Sequence, residues 1–125
     1  MGNVVNKDVD TPAVLKDVND YPVVMYTRPS CGYCKLAKEI LLEENVLYRE
    51  KDLNLHKTMH PEDGMKYING LIYHTRVTTV PQIFICGEFI GGFTELKKLR
   101  EEGKLWSTIA KCKDQYDRKP VVDVP

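Results

Sequence analysis

The chain has 125 residues, of which 42% are hydrophobic and 29% are charged, and its 18 Lys and Arg residues balance its 18 Asp and Glu residues. A chain of this length and composition is expected to form one globular domain with a single hydrophobic core. The net charge of zero argues against nucleic acid and membrane surfaces as partners, because both select for clustered positive charge. No apolar run approaches the length of a membrane span, so no stable membrane insertion is expected either.

Residues 1–20 are interpreted as an N-terminal extension that carries a short leading helix. Thr11 is expected to cap this helix, with Pro12 at its first position and apolar residues following. The segment has no apolar core of the kind found in signal peptides, and we therefore expect a cytoplasmic location. In that reducing environment the four cysteines are expected to be thiols rather than a structural disulfide framework.

The most informative motif lies where a predicted strand gives way to a helix. Tyr21–Thr27 is an apolar run rich in β-forming residues, and apolar residues then recur at helical spacing from Cys31 to Asn45. Cys31 therefore stands at a helix N-terminus, where unpaired backbone N–H groups and the helix dipole stabilise an anion. A Cys31 thiolate is favoured there, and Cys34 lies about one turn further on, within disulfide reach. This arrangement predicts thiol–disulfide chemistry.

The remaining elements predict a small mixed sheet flanked by helices. They are a strand at 46–53, a helix opened by Pro61-Glu62-Asp63, a hairpin of Gln82–Ile85 and Glu88–Ile90 around Cys86-Gly87, and helices at Thr94–Glu102 and Lys104–Tyr116. The first two strands are joined by a crossover helix and should be parallel, whereas the hairpin adds two antiparallel strands. The predicted fold class is therefore α/β with four strands, and residues 117–125 are expected to form a loose tail.

Three further features carry a resemblance to a known family. They are Thr79-Val80-Pro81 before the hairpin, Gly91-Gly92-Phe93-Thr94-Glu95 after it, and Arg28 three residues before the first cysteine. Together with Cys31-Gly32-Tyr33-Cys34, these features resemble a dithiol glutaredoxin, and the resemblance extends from Tyr21 to about Lys111. It implies a thioredoxin-like fold, with residues 21–116 as the glutaredoxin domain.

The resemblance also implies a glutathione-dependent thiol–disulfide oxidoreductase that acts on glutathionylated and disulfide-containing proteins. Cys31 is implied to be the nucleophile and Cys34 the resolving thiol, with glutathione as the co-substrate. Carried over by position, the residues implied to bind glutathione are Arg28, Tyr33, Val80, Pro81, Thr94 and Glu95.

Each of these positions has an implied role. Val80 would pair its backbone with that of glutathione, beside a cis Pro81. Thr94 and Glu95 would offer backbone N–H groups to the glutamyl carboxylate at a helix start. The Arg28 side chain would reach the glycyl carboxylate. Tyr33 would flank the reactive sulfur.

Other interpretations remain open at this point. In one, two chains each contribute Cys31 to a [2Fe–2S] cluster that two glutathiones complete, so that the monomer becomes a dimeric cluster carrier or sensor. In another, the protein is a thioredoxin-like reductase served by a reductase protein instead of glutathione. A zinc site formed by the cysteine pair with His56 and His60 is disfavoured by the spacing of these residues.

Two regions receive no function from the sequence. Cys86 at the hairpin tip and Cys112 on the last helix are interpreted as incidental thiols. The segment 53–77 looks longer than in compact members of the family, and no binding residue is carried over onto it.

Overall fold

The computed structural model describes residues 8–117 of the chain. In chain order it contains α1 (Thr11–Val18), β1 (Val23–Thr27), α2 (Gly32–Glu43), β2 (Arg49–Asp52), α3 (Leu53–Met59), α4 (Gly64–Thr75), β3 (Gln82–Ile85), β4 (Glu88–Gly91), α5 (Phe93–Glu101) and α6 (Leu105–Asp117). Of the tail expected at 117–125, only Asp117 is described, and it is the last residue of α6. The rest of that tail, and residues 1–7 of the N-terminal extension, lie outside the described residues. Among the helices described, none is long and apolar enough to cross a bilayer.

Four strands form one mixed sheet in the order β2-β1-β3-β4. β1 pairs in parallel with β2 and antiparallel with β3, and β3 pairs antiparallel with β4. This topology confirms the predicted α/β, thioredoxin-like fold. It follows from the connections, because the α2 crossover returns the chain parallel to β1, whereas the turn at Cys86-Gly87 reverses it.

The core lies on both faces of this sheet. Val23 and Met25 of β1 face α2, α5 and α6, whereas Val24 and Tyr26 face α1 and α4. Because successive side chains of a strand point to opposite faces, a strand covered on both sides must be apolar almost throughout. This explains the apolar run that predicts β1, all of whose residues are buried.

The N-terminal helix α1 is held to this core by side-chain hydrogen bonds as well as by apolar packing. Tyr67 of α4 donates a hydrogen bond to Asp17 of α1 at 2.6 Å, and its hydroxyl oxygen lies 2.7 Å from that of Tyr26. Burial is the largest cause that raises the pKa of both tyrosines, so both hydroxyls stay protonated and available for hydrogen bonds. The hydrogen bonds from Asp17 through Tyr67 to Tyr26 therefore connect α1 to β1, the strand that precedes the cysteine pair.

The start of α1 differs from the prediction. Its N-cap is Asp10, whose carboxylate accepts the Ala13 N–H at 3.2 Å, and Thr11 is instead its first helical residue. Asp caps a helix at least as well as Thr, so the local pattern allowed either residue. Gly70 of α4 packs against this turn, since a Cβ there would lie 2.6 Å from the Asp10 carbonyl oxygen. The glycine that weakens the sequence pattern of α4 thus allows close contact with α1.

The segment between β2 and β3 contains one helix that the sequence does not predict. The strand expected at 46–53 is limited to Arg49–Asp52, and the chain then turns directly into α3. Asp52 caps this helix by accepting the Leu55 N–H at 3.0 Å. Part of this segment therefore forms α3, which lies next to β2 and α4.

Candidate functional site

Cys31 and Cys34 lie at the N-terminus of α2, as the sequence predicts. Cys31 is the N-cap residue, and the Cys34 N–H donates to Cys31 Sγ at 3.1 Å. The two sulfurs are joined in a disulfide, and the two Cα atoms are 5.2 Å apart. Cys31 is partly exposed, whereas Cys34 is only 2% exposed. An external reactant can therefore reach the sulfur of Cys31 but not that of Cys34.

Two cations near the cysteine pair in sequence, Arg28 and Lys38, have different partners. Lys38 forms a salt bridge with Glu50 at 2.9 Å, and this hydrogen bond raises the pKa of Lys38. Arg28 instead donates to the side-chain oxygen of Asn54 at 2.6 Å, and within residues 8–117 it has no carboxylate at salt-bridge distance. Because no carboxylate of the described residues offsets its charge, Arg28 should attract an anion more strongly than Lys38 does.

A groove of about 620 Å³ opens beside the cysteine pair, and it is lined by five of the six residues expected to bind glutathione: Tyr33, Val80, Pro81, Thr94 and Glu95. The Val80–Pro81 peptide bond is cis, as the resemblance implies. The Val80 carbonyl oxygen lies 3.7 Å from Cys31 Sγ. The structure thus gathers these residues around one concave surface next to the more accessible sulfur.

Two residues outside the set expected to bind glutathione also shape this groove. The ring of Phe93 packs on that of Tyr33, with centroids 5.7 Å apart, while Tyr33 stays 63% exposed. The buried Gln82 donates its side-chain N–H groups to the carbonyl oxygens of Val77 at 2.8 Å and Thr79 at 3.0 Å, and so holds the loop before the cis proline. The sequence indicates Phe93 as a core or pocket-wall residue inside the Gly-Gly-Phe-Thr-Glu motif, whereas it gives Gln82 only the pattern of an ordinary strand residue.

The start of α5 is capped by a carboxylate of its own. Gly92 is the N-cap residue, and its N–H donates to Glu95 Oε1 at 2.8 Å. Gly91, at φ +123°, makes room for this arrangement, because a Cβ there would lie 2.6 Å from Glu95 Cγ. An anionic ligand at this helix start would therefore use the N–H groups of Thr94 and Glu95 rather than that of Gly92.

Arg28 does not line the groove. It lies in a second recess of about 610 Å³, whose other lining residues are Asn54, Lys57, Thr58 and Pro61. Most of these residues belong to α3. Because the sequence pattern does not predict α3, the recess could not be predicted from the sequence either. The expected contact of Arg28 with a glycyl carboxylate requires a ligand that extends from the groove to α3.

The two histidines considered for a zinc site lie on α3 and directly after it. The ring of His56 packs on those of Tyr67 and His60, with centroids 4.2 and 4.4 Å apart. Burial lowers the pKa of His56, and the neighbouring His60 lowers it further. Across residues 8–117, no three His, Cys, Asp or Glu side chains are grouped so that they could hold a metal ion.

The interpretation of Cys86 and Cys112 as incidental thiols is wrong in this structure. Their sulfurs form a disulfide between the β3–β4 turn and α6, with Cα atoms 5.6 Å apart. All four cysteines are therefore paired, contrary to the expectation that they are thiols. This pairing could not be predicted from the sequence, because the two residues are 26 positions apart and meet only through the packing of α6.

Comparison with known proteins gives a consistent result. A family model described as Glutaredoxin matches residues 23–90. The chain is 35% identical over 99 residues to Glutaredoxin-2, mitochondrial, of Homo sapiens, a match that covers 79% of this chain and 57% of that protein. It is 34% identical over 101 residues to Glutaredoxin-2 of Schizosaccharomyces pombe, covering 81% of this chain and 87% of that protein. The chain spans 58% of the similar protein from Pongo abelii, so it covers less than two thirds of either primate relative.

Solved structures show the same likeness in three dimensions. The buckwheat glutaredoxin–glutathione complex superposes with a TM-score of 0.73 at 27% identity, over 82% of this chain and 89% of that chain. Wheat glutaredoxin superposes with a TM-score of 0.72 at 26% identity, over 85% of this chain and 96% of that chain.

Proposed function

Because this chain belongs to the glutaredoxin family, we propose that it is a glutathione-dependent thiol–disulfide oxidoreductase with Cys31 as its nucleophile. The observation that carries this proposal is the Cys34 N–H, directed at Cys31 Sγ from 3.1 Å at the start of α2. A backbone donor and a helix dipole in this position favour the thiolate, which is the attacking species. The adjacent groove, about 620 Å³ in volume, has the size of a small-molecule site and supports a bound tripeptide.

In the proposed reaction with a glutathionylated protein, the Cys31 thiolate attacks the glutathione sulfur. The new bond joins Cys31 to glutathione, and the protein thiolate leaves and takes up a proton. A second glutathione thiolate then attacks the bound glutathione sulfur, which forms glutathione disulfide and releases the Cys31 thiolate. This route uses one enzyme thiol and leaves Cys34 unused.

For a protein disulfide, the proposed reaction uses both cysteines. Cys31 attacks one sulfur of the substrate and forms a mixed disulfide with it. The Cys34 thiolate then attacks Cys31 Sγ, which releases the reduced protein and leaves the Cys31–Cys34 disulfide. Burial suits Cys34 to this second step, since it keeps Cys34 from the substrate while its Cα lies 5.2 Å from that of Cys31. Two glutathiones then reduce the disulfide and become glutathione disulfide.

The lining of the groove supports one orientation of glutathione. Val80 offers its backbone beside Pro81 for strand-like pairing, which would bring the cysteinyl sulfur of glutathione toward Cys31. Thr94 and Glu95 offer N–H groups at the start of α5 for the glutamyl carboxylate. In this orientation Tyr33 flanks the sulfurs.

The proposed role of Arg28 involves a change of hydrogen-bond partner. Its guanidinium donates to Asn54, a neutral acceptor, and a glycyl carboxylate is a stronger acceptor for the same group. We therefore propose that glutathione shares or replaces the Asn54 contact when its glycyl end reaches the recess next to α3.

The test of this function combines two electron sources with two variants. Turnover of a glutathionylated peptide is measured with glutathione and glutathione reductase, and separately with thioredoxin reductase. We expect turnover only with glutathione, lost in Cys31→Ser and retained in Cys34→Ser, because removal of glutathione from the peptide needs a single enzyme thiol. Turnover supported by thioredoxin reductase alone, or equal loss in the two variants, would contradict the proposal.

A second candidate function is that of a [2Fe–2S] cluster carrier or sensor, and one observation favours it. A Cβ at Gly32 would meet no atom within 4 Å, so the surface beside the partly exposed Cys31 is open to a second chain. Since the described residues of one chain contain no group of three metal ligands, the donor set fits only a dimer in which Cys31 and glutathione from each half supply four thiolates.

Anaerobic reconstitution with iron, sulfide and glutathione tests this second function. We expect a coloured dimer with visible charge-transfer absorption. A colourless monomer would contradict the cluster function, as would colour that survives Cys31→Ser or the omission of glutathione.

Targets, assembly and location complete the proposal. We propose glutathionylated and disulfide-containing proteins as targets, a monomer unless a cluster joins two chains, and a location in the cytoplasm. Cell fractionation tests the location, and recovery with mitochondria, the compartment in the names of the primate relatives, would contradict it.

A further inference from the structure

The turn between β3 and β4 holds a cysteine where the backbone favours other residues. Cys86 and Gly87 form the two-residue connection, with φ values of 55° and 82°. Positive φ at both positions is typical of a type I′ turn, which Asn, Asp and Gly adopt with least strain. The Cys86 N–H also donates to the Pro22 carbonyl oxygen at 2.8 Å. A cysteine at this strained position indicates that its side chain has a function that offsets the strain.

The partner of Cys86 lies on the buried side of α6. Leu105, Ile109 and Cys112 recur at helical spacing, and all three are buried, with Cys112 7% exposed. The Cα atoms of the two cysteines are 5.6 Å apart, within the range for a disulfide. Cys86 Sγ also lies 3.5 Å from the Thr108 carbonyl oxygen and 3.6 Å from that of Ile109. The turn is therefore seated directly against α6.

We propose that Cys86 and Cys112 are a second redox site, which glutathione disulfide oxidises and whose disulfide fastens the β3–β4 turn to α6. The partly exposed Cys86 first attacks glutathione disulfide as a thiolate, so that a Cys86–glutathione bond forms and one glutathione leaves. The Cys112 thiolate then attacks Cys86 Sγ, and the second glutathione leaves. In total, two protein thiols are oxidised to one disulfide, and one glutathione disulfide is reduced to two glutathiones. The protons of the two protein thiols end on the two glutathione thiols.

This second site lies apart from the one proposed for catalysis. β3 begins at Gln82, next to the cis proline of the groove, and ends at Ile85, directly before Cys86. The two cysteine pairs therefore lie toward opposite ends of the hairpin, and turnover uses only the first pair. The second disulfide acts on stability, because a cross-link between residues 26 positions apart restricts the unfolded chain. Glutathione disulfide acts at the second pair only as an oxidant, so this reaction is separate from the catalytic function.

The test uses the full chain with Cys31→Ser and Cys34→Ser, so that only the second pair can react. Samples are equilibrated with excess glutathione or excess glutathione disulfide, denatured in an alkylating agent and weighed by mass spectrometry, and their melting temperatures are measured in parallel. We expect two free thiols in the first sample, none in the second, and a melting temperature at least about 5 °C higher in the second. Two free thiols after oxidation, a persistent glutathione adduct, or an unchanged melting temperature would overturn the proposal.

Two further variants of that chain separate the cross-link from the turn. Asn suits the left-handed turn position better than Cys, so Cys86→Asn should melt below the oxidised parent but at or above the reduced parent. Cys112→Val retains an apolar side chain on the buried face of α6 and is the matched control for the other thiol. Each variant should have the same melting temperature in excess glutathione as in excess glutathione disulfide. A redox-dependent melting temperature that survives in Cys86→Asn would refute the assignment.

The catalytic proposal is tested separately, by turnover of the chain with Cys31 and Cys34 intact. Loss of the redox-dependent melting temperature with normal turnover, or the reverse, therefore identifies which of the two proposals has failed.

Discussion

The two disulfides of this protein differ in span, surroundings and access. Cys31–Cys34 joins residues three positions apart at the start of α2, with one sulfur partly exposed beside a groove. Cys86–Cys112 joins residues 26 positions apart, between a turn and the buried side of α6. A backbone N–H points at Cys31 Sγ, whereas carbonyl oxygens of α6 face Cys86 Sγ.

These differences give the same covalent bond two different uses. The N–H donor stabilises the Cys31 thiolate, which attacks the substrate and is released again in the last exchange with glutathione, so the first pair is suited to rapid exchange. Carbonyl oxygens offer no such stabilisation, and the long span of the second pair removes more entropy from the unfolded chain. The first pair is thus suited to catalysis and the second to stability.

The largest expected effect separates the pairs by turnover. Cys31→Ser should lower turnover of a glutathionylated peptide by about a thousandfold or more, because the nucleophile is lost. Cys112→Val should leave turnover within about twofold at a temperature well below melting. The glutathione reductase-coupled assay measures both, and a comparable loss in Cys112→Val would end the division of roles.

The next effect separates the pairs by stability. Chain entropy predicts about 3.5 kcal/mol of stabilisation for a cross-link spanning 26 residues and about 1.6 kcal/mol for one spanning three. Denaturant unfolding under oxidising conditions should therefore show a larger loss for Cys86→Asn than for Cys34→Ser. The same variants under reducing conditions are the control. A larger oxidising-condition loss in Cys34→Ser would reverse the comparison.

A third expectation compares the thiols of the reduced protein. At about pH 6.5, iodoacetamide should label Cys31 at least about tenfold faster than Cys86, because the helix N–H groups raise the thiolate fraction of Cys31. Both side chains are partly exposed, so access alone does not favour either one. Peptide mass spectrometry over a time course measures the two rates. Equal rates, or faster labelling of Cys34, would contradict the proposed nucleophile.

The smallest expected effect tests how far the site of the first pair extends. Arg28→Glu should raise the KM for glutathionylated substrates about fivefold with little change in kcat, since a carboxylate partner is exchanged for repulsion. Lys57→Glu makes the same charge change in the same recess and is the matched control. An equal rise in both variants would indicate a general field effect, and no rise in Arg28→Glu would remove Arg28 from the site.

Features that depend on neighbouring residues could be predicted from the amino-acid sequence alone. The apolar run before the cysteines predicted β1, helical spacing after them predicted α2, and their junction put Cys31 at the N-cap. The pair Cys86-Gly87 predicted the hairpin turn between β3 and β4. Side-chain periodicity and turn preferences act over a few residues, so a single sequence carries them. The cis Pro81 was accessible only through the family resemblance, which carries information on the assembled fold.

Contacts between residues far apart in the chain depend instead on how the helices pack on the sheet. Cys86 reaches Cys112 because α6 packs its Ile109 side into the core, and Arg28 turns to Asn54 because α3 follows β2 directly. The α3 helix has seven residues, which is too short for a periodic apolar pattern to reveal it. The positions of α3 and α6 result from the burial of apolar area on both faces of the sheet. This burial depends on every residue of the core at once, so a local sequence pattern cannot predict it.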